Sequence, residues 1–466
     1  SSRSTKLVHG GVRYLQQGNV SLVMEALKER GLMQKNAPHL VGNQPFIVPN
    51  YDWWEGPFYG VGMKVYDMLA GKQGFGRSKW LSVEETTEQI PTLETEGLKG
   101  GVVYYDGQFD DSRLAVNMAQ TAVDQGGTVI NYMNVTGLTR SDEDLINGVI
   151  ATDTETGKEH ELTSKVVVNA TGPWTDDIRM MDDPEASRRI KPSQGVHIVL
   201  DSSFLPGDSA IMVPRTEDGR VLFAIPWHGK AVVGTTDTEI PDTPMEPKPK
   251  KEEVEFLIEH AAKYMNKDPD RSDVLSVFVG IRPLVAPEDA DDTSSISRDH
   301  SLTISHAGLV TIAGGKWTTY RKMAEDTVDQ AATLAGLDDR PCVTKELHIH
   351  GYHQNAKQFG ELEFYGADAA AIRDLTREKD SYGNQLNDAL PTKEVEVVWA
   401  ARNEMARTVE DFLSRRTRSL LLDARASVKM APRVAEILAK ELGKDDKWKK
   451  DQVKEYEELA DQYILS

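Results

Sequence analysis

Apolar and polar positions alternate along this chain with two periods, and the shift between them divides it. Apolar residues at helical spacing predict an amphipathic helix over residues 21–30, where Leu22, Val23, Ala26 and Leu27 share a face. The same spacing predicts a helix over 58–70, carried by Val61, Val65, Met68 and Leu69. A third, over 111–125, has an acidic start, Leu114, Met118 and Ala122 in register, and Gly126-Gly127 as its stop. A strand is predicted at 128–135, a short one at 148–152, and a buried one in the run KVVVNATG, residues 165–172. Short apolar runs at 196–200, 210–213, 221–225 and 231–234, with turn residues between them, predict an antiparallel sheet. Helix is expected over 252–264 and 316–335, and strand over 274–281 and 309–312. The proline-rich stretch 241–249 reads as a loop.

After about His350 the strand signals fade. Helices are predicted at 367–376, 393–422, 428–442 and 448–463, which sets off residues 351–466 as a helical C-terminal domain behind an α/β part of about 350 residues. Trp53, Trp54, Phe58 and Tyr59 crowd the start of the second helix. They are read first as a packed corner and second as a membrane-facing edge.

Charge narrows the partners. With 54 basic against 74 acidic residues the net charge is −20, which disfavours nucleic acid and requires any phosphate site to be built locally from particular cations. The one cysteine, Cys342, excludes an intramolecular disulfide and CxxC metal sites, and no metal is expected. No apolar run reaches the roughly 20 residues of a membrane span. A cytoplasmic location is expected, with peripheral membrane attachment left open.

Two glycine-rich, cation-bearing turns stand out. SSRSTKLVHGGVRYL (1–15) packs hydroxyls, cations and a histidine around Gly10-Gly11. AGGKWTTYRK (313–322) follows an apolar strand and opens a helix, which presents free backbone N–H groups and the positive end of a helix dipole to an anion or a reduced flavin. Its plainer reading is a tight strand-to-helix turn. VVVNATGPW lets backbone approach a ligand closely, although many buried strands end in glycine. GIRPL and SRDH set Arg282 and Arg298 at strand edges. With Arg13 and Lys316 these arginines are suited to clamping a phosphate, while any one alone is ordinarily a solvated residue.

Taken in order, SSRSTKLVHGGVRYL, NATGPW, KPSQGVHIVL, IPWHGKAVVGTTDTE, GIRPL, SRDHSL, AGGKWTTYRK and EMARTVEDFLSRRTRSLLLDARAS (404–427) resemble the FAD-dependent, respiratory glycerol-3-phosphate dehydrogenases over nearly the whole chain. The resemblance implies an α/β fold. Its FAD-binding Rossmann-like domain, incomplete at the N-terminus, is interleaved with an antiparallel substrate-binding sheet in segments near 41–100 and 176–295, and a helical C-terminal domain follows. It implies oxidation of sn-glycerol 3-phosphate to dihydroxyacetone phosphate, with FAD passing electrons to a membrane quinone, and it is compatible with a homodimer. By resemblance Ser1, Ser2, Ser4, Thr5, Lys6, Ala170, Gly172, Trp174, Gly315, Lys316, Trp317 and Thr318 hold the cofactor, and Arg13, Tyr14, Arg282, Arg298 and Lys316 hold the substrate. His197 is the first candidate base and His9 the second, since imidazole titrates near neutrality. Arg282 and Lys316 complete the catalytic set.

The family's GxGxxG turn is not found near Ser1. These 466 residues by themselves are therefore expected to bind FAD weakly, to be inactive and to self-associate. Alternatives are an oxidase that reduces O₂, an amino-acid oxidase, or a non-catalytic module; the arginines favour a phosphorylated substrate over an amino acid. Arg402, Arg407, Arg415, Arg416, Arg418 and Arg425 are expected to form either a solvated face bridged to acidic neighbours or a surface for an anionic membrane or partner subunit.

Overall fold

The computed structural model describes residues 2–11, 19–52, 55–71, 74–214, 216, 219–286 and 300–465. The short strand Leu7–Val8 (β1) precedes the helix Val20–Asn36 (α1), which Asn19 caps by accepting from the Leu22 amide. Val41–Asn50 (β2), Glu55–Ala70 (α2), Lys79–Leu81 (β3), Val83–Gln89 (α3) and Gly100–Phe109 (β4) follow. The helix Asp111–Asp124 (α4) is capped by the Asp110 carboxylate. Next come Met133–Arg140 (β5), Ile146–Asp153 (β6), Glu159–Thr163 (β7), Val168–Asn169 (β8) and Thr175–Asp182 (α5). Ile190–Asp201 (β9), Ala210–Val213 (β10), Leu222–Trp227 (β11), Lys230–Gly234 (β12) and Thr238–Glu239 (β13) lead to the helix Lys251–Tyr264 (α6). Ser276–Val285 (β14), His300–Ile304 (β15), Val310–Gly314 (β16) and the helix Tyr320–Leu334 (α7) close this part.

Among the described residues β1, β4, β2, β10, β11, β12, β9 and β13 lie side by side in one sheet, with β3 on β4 and β14 on β9. β10 pairs with β2 in parallel and the other neighbours are antiparallel. The long β9–β14 ladder runs from Ile190 opposite Val285 to Val199 opposite Ser276. One face of the sheet buries Val196, Ile198 and Leu200 against Leu257 and Ala261 of α6. A separate mixed sheet, β15-β16-β8, runs into the Gly314-Gly315 turn.

Several strands and helices differ from expectation. The strand foreseen at 128–135 begins only at Met133, because Tyr132 takes φ 58° and turns an otherwise extended run. The strand foreseen over 165–172 is reduced to Val168–Asn169, which ladder onto β16 at Val310 and Thr311. Residues 393–422 form no single helix. Glu394–Asn403 (α9) stops ahead of Met405, whose φ of 54° breaks it, and a π-turn at Asp411–Arg416 and the short helix Ser419–Leu422 (α10) follow.

The C-terminal residues also include Ala369–Leu375 (α8), the hairpin Gln385–Asn387 (β17) with Leu390–Lys393 (β18), Ala424–Leu442 (α11) and Asp446–Ala460 (α12). This region packs against the sheet. Phe412, Leu420, Met430 and Val434 share a core with Val199, Trp227, Val232 and Phe278. Trp53, Trp54 and the side chains of Phe58 and Tyr59 lie outside the described residues.

Candidate active-site cleft

Strand periodicity builds the floor of the site. Successive side chains of a strand alternate between faces, so Ser193, Gly195 and His197 of β9 share a face with Phe278, Gly280 and Arg282 opposite them on β14. A Cβ at Gly195 would lie 2.5 Å from an Arg282 nitrogen, and one at Gly280 would lie 2.4 Å from the Arg3 carbonyl. The missing side chains let the guanidinium lie across β9 and let residues 2–5 run against β14.

His197 is buried between its neighbours. Its ring stacks on Phe278 at 4.8 Å, Nε2 lies 3.0 Å from Thr5 Oγ1, and a Cβ at Gly234 would sit 2.2 Å from the ring. Nδ1 is buried with no hydrogen-bonding partner among the described residues. Burial, reinforced by the nearby Arg282 and Lys6 charges, pushes His197 far below the ordinary histidine range, so the ring is neutral near pH 7. Arg282 is itself held in place: it donates to Asp237 at 3.2 Å, to the Thr236 carbonyl at 3.0 Å and to Thr235 Oγ1 at 3.3 Å. Ser193 donates to the same Asp237 carboxylate.

The wall is the segment 2–11. Lys6 adopts φ 62°, a left-handed conformation uncommon outside glycine. Its ammonium, wholly buried, donates to both Asp111 oxygens at 2.9 Å and lies over the Trp227 ring. Burial lowers the Lys6 pKa, and Asp111 opposes that shift. Ser4 also donates to Asp111, through its amide at 3.0 Å and its hydroxyl at 2.6 Å. The His9 amide reaches Thr318 Oγ1 at 3.3 Å, which joins this wall to the second glycine turn. There β16 ends in Gly314 and Gly315, both at positive φ, and a Cβ at Gly315 would strike Met323 Sδ at 2.4 Å. Trp317 packs edge-on against Phe109. Trp174 donates its indole N–H to the Thr243 carbonyl in the proline-rich loop.

These parts enclose a cleft of about 1980 Å³. Ser2, Ser4, Thr5, His9, Ala170, Trp174, His197, Arg282, Gly315, Lys316, Trp317 and Thr318 all line it, so residues named from distant parts of the sequence come together. Two do not. Lys6 is sealed beneath the wall on Asp111 and supports it rather than facing the cleft. Gly172 turns the chain at φ 61°, and its neighbours Pro173 and Trp174 face the cleft instead. Ser1, Arg13, Tyr14 and Arg298 lie outside the described residues.

Asp111, Asp237, Asp106 and Tyr66 carry structural roles here that no sequence motif marks. The signal for Asp106 was a lone carboxylate within an apolar strand, GGVVYYDGQF. Among the described residues no cluster of three metal-ligating side chains occurs, and no helix is long and apolar enough to cross a membrane. Arg425 apart, the C-terminal arginines are bridged to acidic neighbours, as the plainer reading expects, but Arg416 and Arg418 are buried and not solvated. Arg402 pairs with Glu441 and Glu378, Arg407 with Glu155, Arg415 with Glu410 and Asp411, and Arg416 with Asp411. Arg418 lies buried 3.0 Å from Asp110, and Arg425 donates to the carbonyls of Val274 and Leu465.

Comparison with known proteins adds observations of three kinds. Residues 1–321 match the FAD dependent oxidoreductase family, and residues 310–449 match the C-terminal domain of alpha-glycerophosphate oxidase. A mitochondrial glycerol-3-phosphate dehydrogenase of Arabidopsis thaliana is 40% identical, covering 100% of this chain and 80% of its own. One from Homo sapiens is 39% identical, covering 97% and 67%. Among solved structures, the glycerol-3-phosphate dehydrogenase of Bacillus halodurans complexed with FAD superposes with a TM-score of 0.79 at 28% identity, covering 100% of this chain and 87% of its own. An FAD-bound L-alpha-glycerophosphate oxidase from Mycoplasma pneumoniae shares the fold, with a TM-score of 0.53 at 16% identity over 74% of this chain and 87% of its own.

Proposed function

The chain belongs to the glycerol-3-phosphate dehydrogenase family of FAD-dependent oxidoreductases, and from that membership we propose that its cleft oxidises sn-glycerol 3-phosphate at C2 to dihydroxyacetone phosphate and delivers the electrons to a membrane quinone. The observation that carries the reading is the convergence of Thr5, His197, Arg282 and the Gly314–Thr318 turn on one cleft. The residues fit a flat polar cofactor. Side-chain-free backbone at Gly314-Gly315 allows close approach, and the buried Nδ1 of His197 shows a polar atom without a partner among the described residues. Thr5, Trp174 and Gly315 to Thr318 would hold FAD, which when bound supplies the acceptor for the hydride leaving C2.

The chain's own residues do the rest. Neutral His197 accepts the C2 hydroxyl proton, with Thr5 Oγ1 beside Nε2 to orient it. Arg282 and Lys316 bind the phosphate and steady negative charge at the reacting oxygen. Arg13, Tyr14 and Arg298 complete the clamp, and His9 is the reserve base. A quinone acceptor calls for contact with a membrane surface. The C-terminal arginines are engaged by carboxylates and carbonyls of this chain, so they lend that contact no support.

The test is glycerol 3-phosphate oxidation by the FAD-supplied chain, followed by flavin bleaching and by reduction of a soluble quinone. Glycerol 3-phosphate should bleach the flavin, and glycerol should not. Arg282→Ala should cut kcat/KM by the equivalent of about 2–4 kcal/mol, as for a lost charged contact. Bleaching by an amino acid instead would overturn the substrate. Peroxide formed in step with turnover would replace the quinone with oxygen.

A further inference from the structure

We propose that Tyr66, fixed by Asp106 and Arg30, is a positioning residue that holds the His9–Gly11 turn against the cleft. The inference rests on reading this cleft as the active site. Tyr66 comes from α2, Asp106 from β4 and Arg30 from α1, and all three are buried. The phenol oxygen accepts from the Gly10 amide at 2.8 Å and donates its proton to Asp106 Oδ2 at 2.7 Å. Asp106 Oδ1 accepts from Arg30 at 2.6 Å and from the Gly107 amide at 3.1 Å. The guanidinium in turn lies 4.2 Å over the Phe75 ring.

The chain of bonds has a direction. Arg30 pairs with Asp106 and orients its carboxylate. A carboxylate accepts hydrogen bonds, so the phenol turns its proton towards Asp106. The phenol's lone pair is left for the Gly10 N–H. That amide is buried, and without an acceptor it would bear the full cost of desolvation. Glycine at position 10 leaves room for this contact: a Cβ there would lie 2.4 Å from the phenol oxygen and 2.5 Å from Leu27 Cδ2 and would force both to shift. On its other side the turn is pinned by the His9 amide on Thr318 Oγ1. Residues 9 and 10 are thus held between Tyr66 and Thr318, and His9 and Gly11 face the cleft. Tyr66 does not line the cleft; it acts through the backbone of the turn.

The experiment compares wild type, Tyr66→Phe, Asp106→Asn and Tyr104→Phe as full chains supplied with FAD. Tyr104→Phe is the control, since its hydroxyl is equally buried but turns to Met212 Sδ. Hydrogen exchange is read by mass spectrometry on peptides covering the 7–11 turn and β2, and steady-state kinetics are measured with glycerol 3-phosphate. Tyr66→Phe should speed exchange in the turn about tenfold or more while leaving β2 as in wild type, and lower kcat/KM about tenfold. Asp106→Asn should give the same pattern more weakly, because an amide oxygen still accepts the phenol proton. Tyr104→Phe should leave turn exchange unchanged. Unchanged exchange in the turn of Tyr66→Phe overturns the proposal, as does an equal rise in β2, which would mark a general loss of packing. Faster turn exchange with unaltered kinetics would show that the turn is held but does not serve the cleft, and also overturns it. If wild type itself neither binds nor oxidises glycerol 3-phosphate, the functional reading of the cleft falls, while the exchange result still decides whether Tyr66 holds the turn.

Discussion

His197 shows how a residue's surroundings set its chemistry. An exposed histidine would be partly protonated near pH 6.5. Here burial and two neighbouring cations keep the ring neutral, which is the state a base requires. Because its pKa is depressed in the fold, protonation costs stability as pH falls below the unfolded value, and the neutral ring that the proposed base needs is kept above it. The rate should therefore be flat on this group's account between about pH 6 and 8, and His197→Asn should lower kcat about 100-fold or more. Stopped-flow flavin reduction across that range measures both. An acid limb centred at or above about pH 6.5 in wild type would contradict the buried neutral ring, and unaltered kcat in the variant would remove the base. At this scale the sequence was informative about residue type and motif. His197, Arg282 and the AGGKWTT turn were all visible as candidates. Their supporting carboxylates were not, because Asp111, Asp237 and Asp106 look like ordinary acids in a chain with 74 of them. Only the tertiary fold reveals that Asp111 gathers Lys6 and Ser4, and that Lys6 is turned away from the cleft to meet it.

Elements with a strong amphipathic pattern and proper ends were legible. The helix foreseen over 111–125 is α4 to within a residue, and 210–213 is β10 itself. Elements whose limits depend on a single backbone angle were not. Tyr132 and Met405 each take a left-handed φ that no hydropathy pattern announces, and each ends an element the pattern would have continued. How elements are clamped to one another is likewise a tertiary property. His350 bridges the end of α4 to the turn before α8, with Nδ1 2.7 Å from Asp124 and Nε2 3.0 Å from Asp368. The bond to Asp368, helped by Asp124, raises its pKa to about 9. A group raised in the fold stabilises fully below its unfolded pKa, and that contribution is lost as pH climbs through the folded value. His350→Gln removes the charge and retains a polar side chain. Urea unfolding should show wild type ahead of the variant by about 1–2 kcal/mol near pH 6, a figure discounted for partial exposure, with the gap closing towards pH 9 and above. A gap independent of pH would mean that the bridge carries no charge-linked stability.

Across the whole molecule, the first turn of α4 joins the cleft to the C-terminal helices. Four consecutive buried residues point in different directions. Asp110 meets Arg418 and His228, Asp111 meets Lys6 and Ser4, Ser112 donates to the Arg415 carbonyl, and Arg113 forms a two-pronged pair with Glu404 at 2.7 and 2.8 Å. Glu404 also accepts from the Trp399 indole at 3.1 Å. The sequence suggested a helical domain standing apart after His350. What it had no means of displaying was that Arg113 and Glu404, 291 residues apart, are a single buried pair, or that the helices share a core with β9, β11, β12 and β14. Removing one partner of such a pair strands a buried charge and typically costs about 3–5 kcal/mol. Glu404→Ala should therefore destabilise the cleft and the C-terminal helices together, since Arg113 sits two residues from the Asp111 that holds the cleft wall. Calorimetry should show one unfolding transition in wild type, moved as a unit to lower temperature in the variant, with hydrogen exchange rising both in residues 2–8 and in α11. Two resolved transitions, with only the later residues affected, would mean that the C-terminal helices stand alone and that α4 does not couple them to the site.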